Sequence, residues 1–179
     1  MRSFIAIDLP EDVRDYLYNF QSKLKQLPAK IKWIEKKNLH LTIKFLGEID
    51  DKKLLEIKEI LSRIHYNSFE ANLSNLGFFP DENHVNVIWV GIEPINQVIG
   101  LQQKIDSELL NLFSKNQKFS SHVTLGRVKF VKIKNKFLGM LKEQKIERTK
   151  FKIDSFRLYK SILMKDGPIY EVLEEYRLL

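Results

Sequence analysis

One short phrase occurs twice and sets most of what this chain can become: His40-Leu41-Thr42-Ile43 and His122-Val123-Thr124-Leu125. Each is His-x-Thr with an apolar residue after it, inside a run with the period-two alternation of a β-strand. The chain has four histidines in 179 residues, and two of them fall in matched contexts a little under half the chain apart. A strand presents residues i and i+2 on one face. His40, Thr42 and Lys44 therefore share a face opposite Leu39, Leu41, Ile43 and Phe45. His122 and Thr124 share a face opposite Val123 and Leu125. The repetition predicts duplicated lobes, each giving an imidazole and a hydroxyl to one shared site.

The pattern around the phrases predicts an α+β fold in which antiparallel-rich sheets are covered on one face by helices. Strands are expected over 4–8, 31–34, 39–46, 69–76, 85–92, 121–130, 151–164 and 169–177. Val13, Leu17, Phe20, Leu24 and Leu27 form a helical stripe after Pro10. Further helices are expected from Asp50 or Asp51 to about Ile64 and from Pro94 to about Phe113, with a short helix or loop ending near Gln144. The segment 79–83 and Asp166-Gly167-Pro168 have turn composition, so the strands beside them read as hairpins.

The chain carries 30 Lys+Arg against 23 Asp+Glu, a formal charge of +7, which favours anionic partners. It has no cysteine, which excludes disulfides, thiolate nucleophiles and Cys-ligated zinc. Neither G-x-G-x-x-G nor G-x-x-x-x-G-K-[ST] is present, which counts against dinucleotide or nucleoside triphosphate machinery. The start reads as a first strand rather than a signal peptide, and no apolar run approaches the ~20 residues that span a bilayer. A soluble cytoplasmic protein with no membrane partner is expected.

Two His-x-Thr strands facing each other make a phosphate site. The hydroxyls donate to non-bridging oxygens. One neutral imidazole takes a proton from water, and one protonated imidazole gives a proton to the leaving oxygen. That scheme needs no metal and no cofactor, and the set lacks the carboxylates magnesium prefers. His65, at a helix end, and His84, in a turn, read as structural.

At these residues the chain resembles the 2H phosphoesterase superfamily, and within it the RNA 2′,3′-cyclic phosphodiesterases, also called 2′-5′ RNA ligases. The resemblance takes in Arg2 to Pro10, Trp33 to Gly47, Gly77-Phe78-Phe79-Pro80, Ser121 to Arg127, Leu158-Tyr159-Lys160-Ser161 and Gly167-Pro168-Ile169-Tyr170. It implies one domain over 1–179 made of two intertwined lobes, with a motif in each at 40–43 and 122–125. It implies a bilobal, pseudo-twofold arrangement of two antiparallel-rich sheets facing a central cleft, with helices outside. The implied activity is hydrolysis of a 2′,3′-cyclic phosphate at an RNA end to a 2′-phosphate, by a monomer. Such RNA ends include those of tRNA fragments.

The resemblance also gives roles: His40 as proton donor to the 3′ oxygen, His122 as proton acceptor from water, and Thr42 and Thr124 as phosphate holders. Phe45 and Arg127, each five residues beyond a histidine, would stack on the terminal base and bind phosphate. Strict alternation, however, puts both on the face opposite their histidines. They reach the cleft only if the strands twist or bulge first, which Gly126 would permit before Arg127. Phe45 otherwise packs in the core. Lys44 is placed either beside His40 or in solvent. Readings that share these features are 2′-5′ ligation as the reverse chemistry, action on a small cyclic nucleotide, and a non-catalytic RNA-binding module.

Overall fold

In the computed structural model, which describes residues 1–115, 118–165 and 167–179, apolar strands and amphipathic helices assemble around one sheet. The strands are β1 (Arg2–Asp8), β2 (Ala29–Trp33), β3 (His40–Glu48), β4 (Phe69–Asp81), β5 (His84–Glu93), β6 (His122–Val131), β7 (Lys150–Ile153), β8 (Ser155–Leu163) and β9 (Pro168–Arg177). The helices are α1 (Glu11–Leu24), α2 (Asp51–Ser62), α3 (Ile95–Glu108) and α4 (Lys134–Lys142). Helix α1 opens after Pro10 with Glu11 and Asp12 in its first turn, where acids complement the helix dipole. The Asp50 side chain caps α2 by accepting from the Lys53 backbone N–H. Of the expected turn at 166–168, Asp166 lies outside the described residues.

The architecture is α+β and antiparallel. Among the described residues the strands run in the order β7-β4-β5-β6-β3-β1-β8-β9, with β2 added beside β6. The two sheets implied by the resemblance are thus joined into one. The seam is a single pair, Leu41 of β3 with Val123 of β6, which are the middle residues of the two His-x-Thr phrases. The expected strand over 151–164 divides at Asp154 into β7 and β8, which sit at separate places in the sheet.

One face of the sheet is buried by the helices. Val13, Leu17 and Phe20 of α1, Ile57 and Leu61 of α2, Val98 and Leu101 of α3, and Phe137 of α4 pack with Ile5, Ile7, Leu41, Ile43, Val123 and Leu125. At ~25 cal/mol per Å2 of apolar surface removed from water, this is the main favourable term of folding. The other face carries a small separate cluster of Phe4, Ala6 and Tyr159, with Tyr170 against it. Alternation along β1 divides Phe4 and Ala6 from Ile5 and Ile7, so the helix-free face is the one that can hold a site. None of the described helices is long and apolar enough to cross a membrane.

Candidate active site

Both motifs start with their imidazole turned the same way. His40 Nδ1 lies 2.7 Å from the Asn38 carbonyl oxygen, and His122 Nδ1 lies 2.9 Å from that of Ser120. A carbonyl only accepts, so Nδ1 carries hydrogen in each ring and Nε2 is the atom left for chemistry. The Asn38 carbonyl is itself positioned, because the buried Asn38 side chain donates to the Pro168 carbonyl at 2.9 Å and ties the start of β9 to this turn. His65 makes the same contact two residues back, to Arg63, but in an exposed segment after α2 and outside any strand.

After each threonine the strand bulges. In β3, Ala6 of β1 pairs with Thr42 and Ile5 with Lys44, which leaves Ile43 as an extra residue. In β6, Trp89 of β5 pairs with Thr124 and Ile88 with Gly126, which leaves Leu125 extra. The bulge reverses side-chain parity. Both strands show the same sequence of exposure as a result: half-buried His, buried Leu or Val, half-buried Thr, two buried residues, then an exposed one. The exposed residues are Phe45 and Arg127. Phe45, 70% exposed, is outside the core and stands 6.3 Å from the Phe4 ring, which is 5.1 Å from His40.

The two bulges are filled differently. At the second, a Cβ on Gly126 would lie 2.7 Å from Ile31 Cγ2 and 2.8 Å from Trp33 Cε3, so this side of the strand must be bare. The Leu125 carbonyl accepts from Gln21 Nε2 at 2.8 Å and from the Ile34 N–H at 2.9 Å. At the first bulge the matching residue is Lys44, 4% exposed, whose ammonium pairs with Asp106 of α3 and donates to the Ser114 carbonyl at 2.9 Å. Lys44 therefore belongs neither beside His40 nor in solvent, because the bulge turns it to the helix side.

Each imidazole stands among aromatic rings that the motifs alone do not indicate. His40 meets Phe4 at 5.1 Å and the edge of Tyr170 at 5.3 Å. His122 meets Phe79 at 5.0 Å and Trp89 at 5.8 Å, both edge-on. These walls remove water from the rings. Burial lowers the proton affinity of both, first and most strongly.

The charges nearby then divide the pair. Asp8, opposite His40 in the β1–β3 register, favours a proton on His40, while the His122 charge opposes it. The residue opposite His122 is Gly91, and the charge acting on this ring is Arg127, which disfavours a proton there. Asp8 is held by Arg157, which also binds Glu175, and by the Tyr159 hydroxyl, which donates to it. The hydrogen bonding differs as well. His40 Nε2 lies 2.9 Å from Thr42 Oγ1, whereas His122 Nε2 has no hydrogen-bond partner among the described residues. Arg127 also acts on Tyr170 across the site, so its charge reaches both sides of the imidazole pair.

Comparison with known proteins fits this geometry. The family described as LigT like Phosphoesterase matches twice in succession, over residues 7–89 and 90–170, with one His-x-Thr phrase in each match. A Methanocaldococcus jannaschii protein named RNA 2′,3′-cyclic phosphodiesterase is 39% identical over 178 residues, covering 98% of this chain and 100% of its own. A Thermotoga maritima protein of the same name is 34% identical, covering 98% and 94%. The crystal structure of TT0787 from Thermus thermophilus aligns with a TM-score of 0.83 at 26% identity, covering 99% of this chain and 97% of that one. E. coli LigT complexed with 3′-AMP aligns with a TM-score of 0.79 at 26% identity and the same coverage. With two family matches spanning nearly the whole chain and a motif strand in each, this chain belongs to the LigT-like phosphoesterases.

Proposed function

We propose that this chain hydrolyses the 2′,3′-cyclic phosphate at an RNA end to a 2′-phosphate, through His40 and His122 and without a metal ion. The relatives named RNA 2′,3′-cyclic phosphodiesterase support the reaction class. The observation that carries the mechanism is the pair of like-oriented imidazoles in opposite surroundings: an acid beside His40, a guanidinium and an open Nε2 at His122.

His122 Nε2 takes a proton from water as the water oxygen bonds to phosphorus. His40 Nε2–H, whose resting partner is the Thr42 hydroxyl, protonates the 3′ oxygen as its bond to phosphorus breaks. Thr42, Thr124 and Arg127 hold non-bridging oxygens, with the guanidinium suited to two at once. Phe45, exposed beside the Phe4 ring, stacks on the terminal base. The E. coli neighbour solved with 3′-AMP supports a site for a nucleoside bearing phosphate at the ribose 3′ position. Asp8 is the carboxylate opposite His40, and its oxygens are engaged by Arg157 and Tyr159.

The direct test is turnover of a nucleoside 2′,3′-cyclic phosphate in excess EDTA, with the 2′-phosphate identified as product. Undiminished rate is expected. A rate lost in EDTA and restored by added Mg2+ or Mn2+ overturns the metal-free scheme.

The pH profile tests the division of roles. Burial holds both imidazoles below the ordinary histidine value, so kcat/KM, which reports the free enzyme, should peak below about pH 6.5. Asp8 raises the proton affinity of His40, and Asp8→Asn removes that charge; its amide oxygen can still accept from Arg157 while its amide nitrogen donates to the Tyr159 oxygen. The pKa of His40 then falls. The limb on which rate is lost as pH rises should move to lower pH, and the limb set by His122 should stay. If the alkaline limb does not move, His40 is not the acid.

A further inference from the structure

Past Arg127, β6 runs on into a stretch the reaction does not use. In its pairing with β2, Arg127 faces Lys32 and Val128 faces Ile31; then, across a bulge at Lys129, Phe130 faces Lys30. Directly paired residues point to the same side of a sheet. The extra residue in β6 returns Phe130 to the side of Arg127, and Lys30 and Lys32, two apart, share that side too. Arg127, Lys32, Lys30 and Phe130 thus form one row that starts at the imidazole pair and leads away along the ribbon. From Arg127 to Phe130 it covers about 10 Å at ~3.3 Å per residue.

All four side chains are exposed, and Phe130 keeps 61% of its surface in water. Among the described residues, neither lysine of the row nor the adjacent Lys129 makes an ion pair. Elsewhere Lys36, Lys58, Lys104 and Lys142 each lie against a carboxylate. Lysines on the edge strand β2 discourage pairing with another sheet. That purpose gives no reason for a bare phenyl ring directly opposite Lys30. Unpaired ammonium groups with an aromatic ring beside them match a nucleic-acid strand, whose phosphates take the cations and whose bases stack on the ring.

We propose that this row is a track for single-stranded RNA, binding nucleotides that precede the reacting 3′ end. Which end of the RNA lies at Arg127 rests on the cyclic-phosphate reading; the track itself rests on the row. Lys30 and Lys32 take phosphates, and Phe130 takes a base beyond the terminal nucleotide.

Two substrates separate the track from the site: a nucleoside 2′,3′-cyclic phosphate, and a single-stranded oligoribonucleotide ending in a 2′,3′-cyclic phosphate. Phe130→Ala, and separately the pair Lys30→Ser and Lys32→Ser, should each raise KM for the oligonucleotide by about 10-fold. Turnover of the mononucleotide should stay at the wild-type value. The lysine variant should also bind with a shallower dependence on salt, since fewer phosphates are neutralised. Unchanged oligonucleotide KM overturns the track, and so does an equal loss on both substrates. Fluorescence anisotropy with a labelled oligoribonucleotide ending in 3′-phosphate decides the track without turnover. Wild-type protein that hydrolyses neither cyclic substrate refutes the cyclic-phosphate reading, while binding weakened by both variants still supports the track and unaltered binding removes it.

Discussion

His40→Ala and His122→Ala should each lower kcat on a 2′,3′-cyclic phosphate by about 10^3-fold or more, with the fold intact. General acid–base transfer contributes ~10^2–10^4 to a rate, and in the proposed scheme each imidazole supplies one of the two transfers. Neither ring carries the core. Both are half-buried on the helix-free face, against Phe4 and Tyr170 in one case and Phe79 and Trp89 in the other. Thermal unfolding midpoints should therefore stay within a few degrees of wild type. The double variant should be scarcely slower than either single one, because water attack and departure of the 3′ oxygen are coupled and losing one proton transfer already forfeits the concerted path. KM should change less than kcat, since Thr42, Thr124 and Arg127 still hold the phosphate. Turnover that survives either substitution at more than about a tenth of the wild-type rate sinks the two-histidine mechanism.

Strand parity made part of this site legible. His and Thr two apart must share a face, and the phrases recur, so the imidazole–hydroxyl pairs follow from local periodicity. The alternation of helix and strand likewise carried the α+β class. Parity failed at the next two residues, for a reason the motif does not contain. The extra residues Ile43 and Leu125 exist only relative to β1 and β5, whose register depends on pairing across the sheet. One bulge turned Lys44 inward and Phe45 outward. Gly126 hinted at the second, and Gln21, set in the apolar stripe of α1, was a faint sign that a buried carbonyl needed a donor. The walls of Phe4, Tyr170, Phe79 and Trp89 come from strands far apart in the chain, so no short window reveals them. The electrostatic division of the two histidines is equally non-local. Asp8 reaches His40 from the neighbouring strand β1, while Arg127 lies on the same strand as His122 and is turned to its side by a bulge set by β5; that placement supports the proposed acid at His40 and base at His122.

Lys44→Met should be the most destabilising single change near the site, costing about 3–5 kcal/mol. Lys44 and Asp106 are 4% and 2% exposed, and they join the strand of the first motif to α3. A buried ion pair contributes little net stability against a well-packed apolar pair, but removing one partner leaves the other charge without its main compensation. The Lys44 ammonium also satisfies the Ser114 carbonyl, so a second polar group loses its donor. For a chain of this size the unfolding midpoint should fall by about 10 °C. Adding Asp106→Leu should recover part of that loss, since the buried carboxylate that lost its ammonium partner is then gone; a double variant as unstable as the single would overturn this explanation. Below its midpoint the folded Lys44→Met protein should retain near-wild-type kcat, because an inward methionine still occupies the bulge and keeps Thr42 and Phe45 on the side of His40. A large fall in kcat without a fall in stability would instead mean that the Lys44 charge acts on the reaction itself.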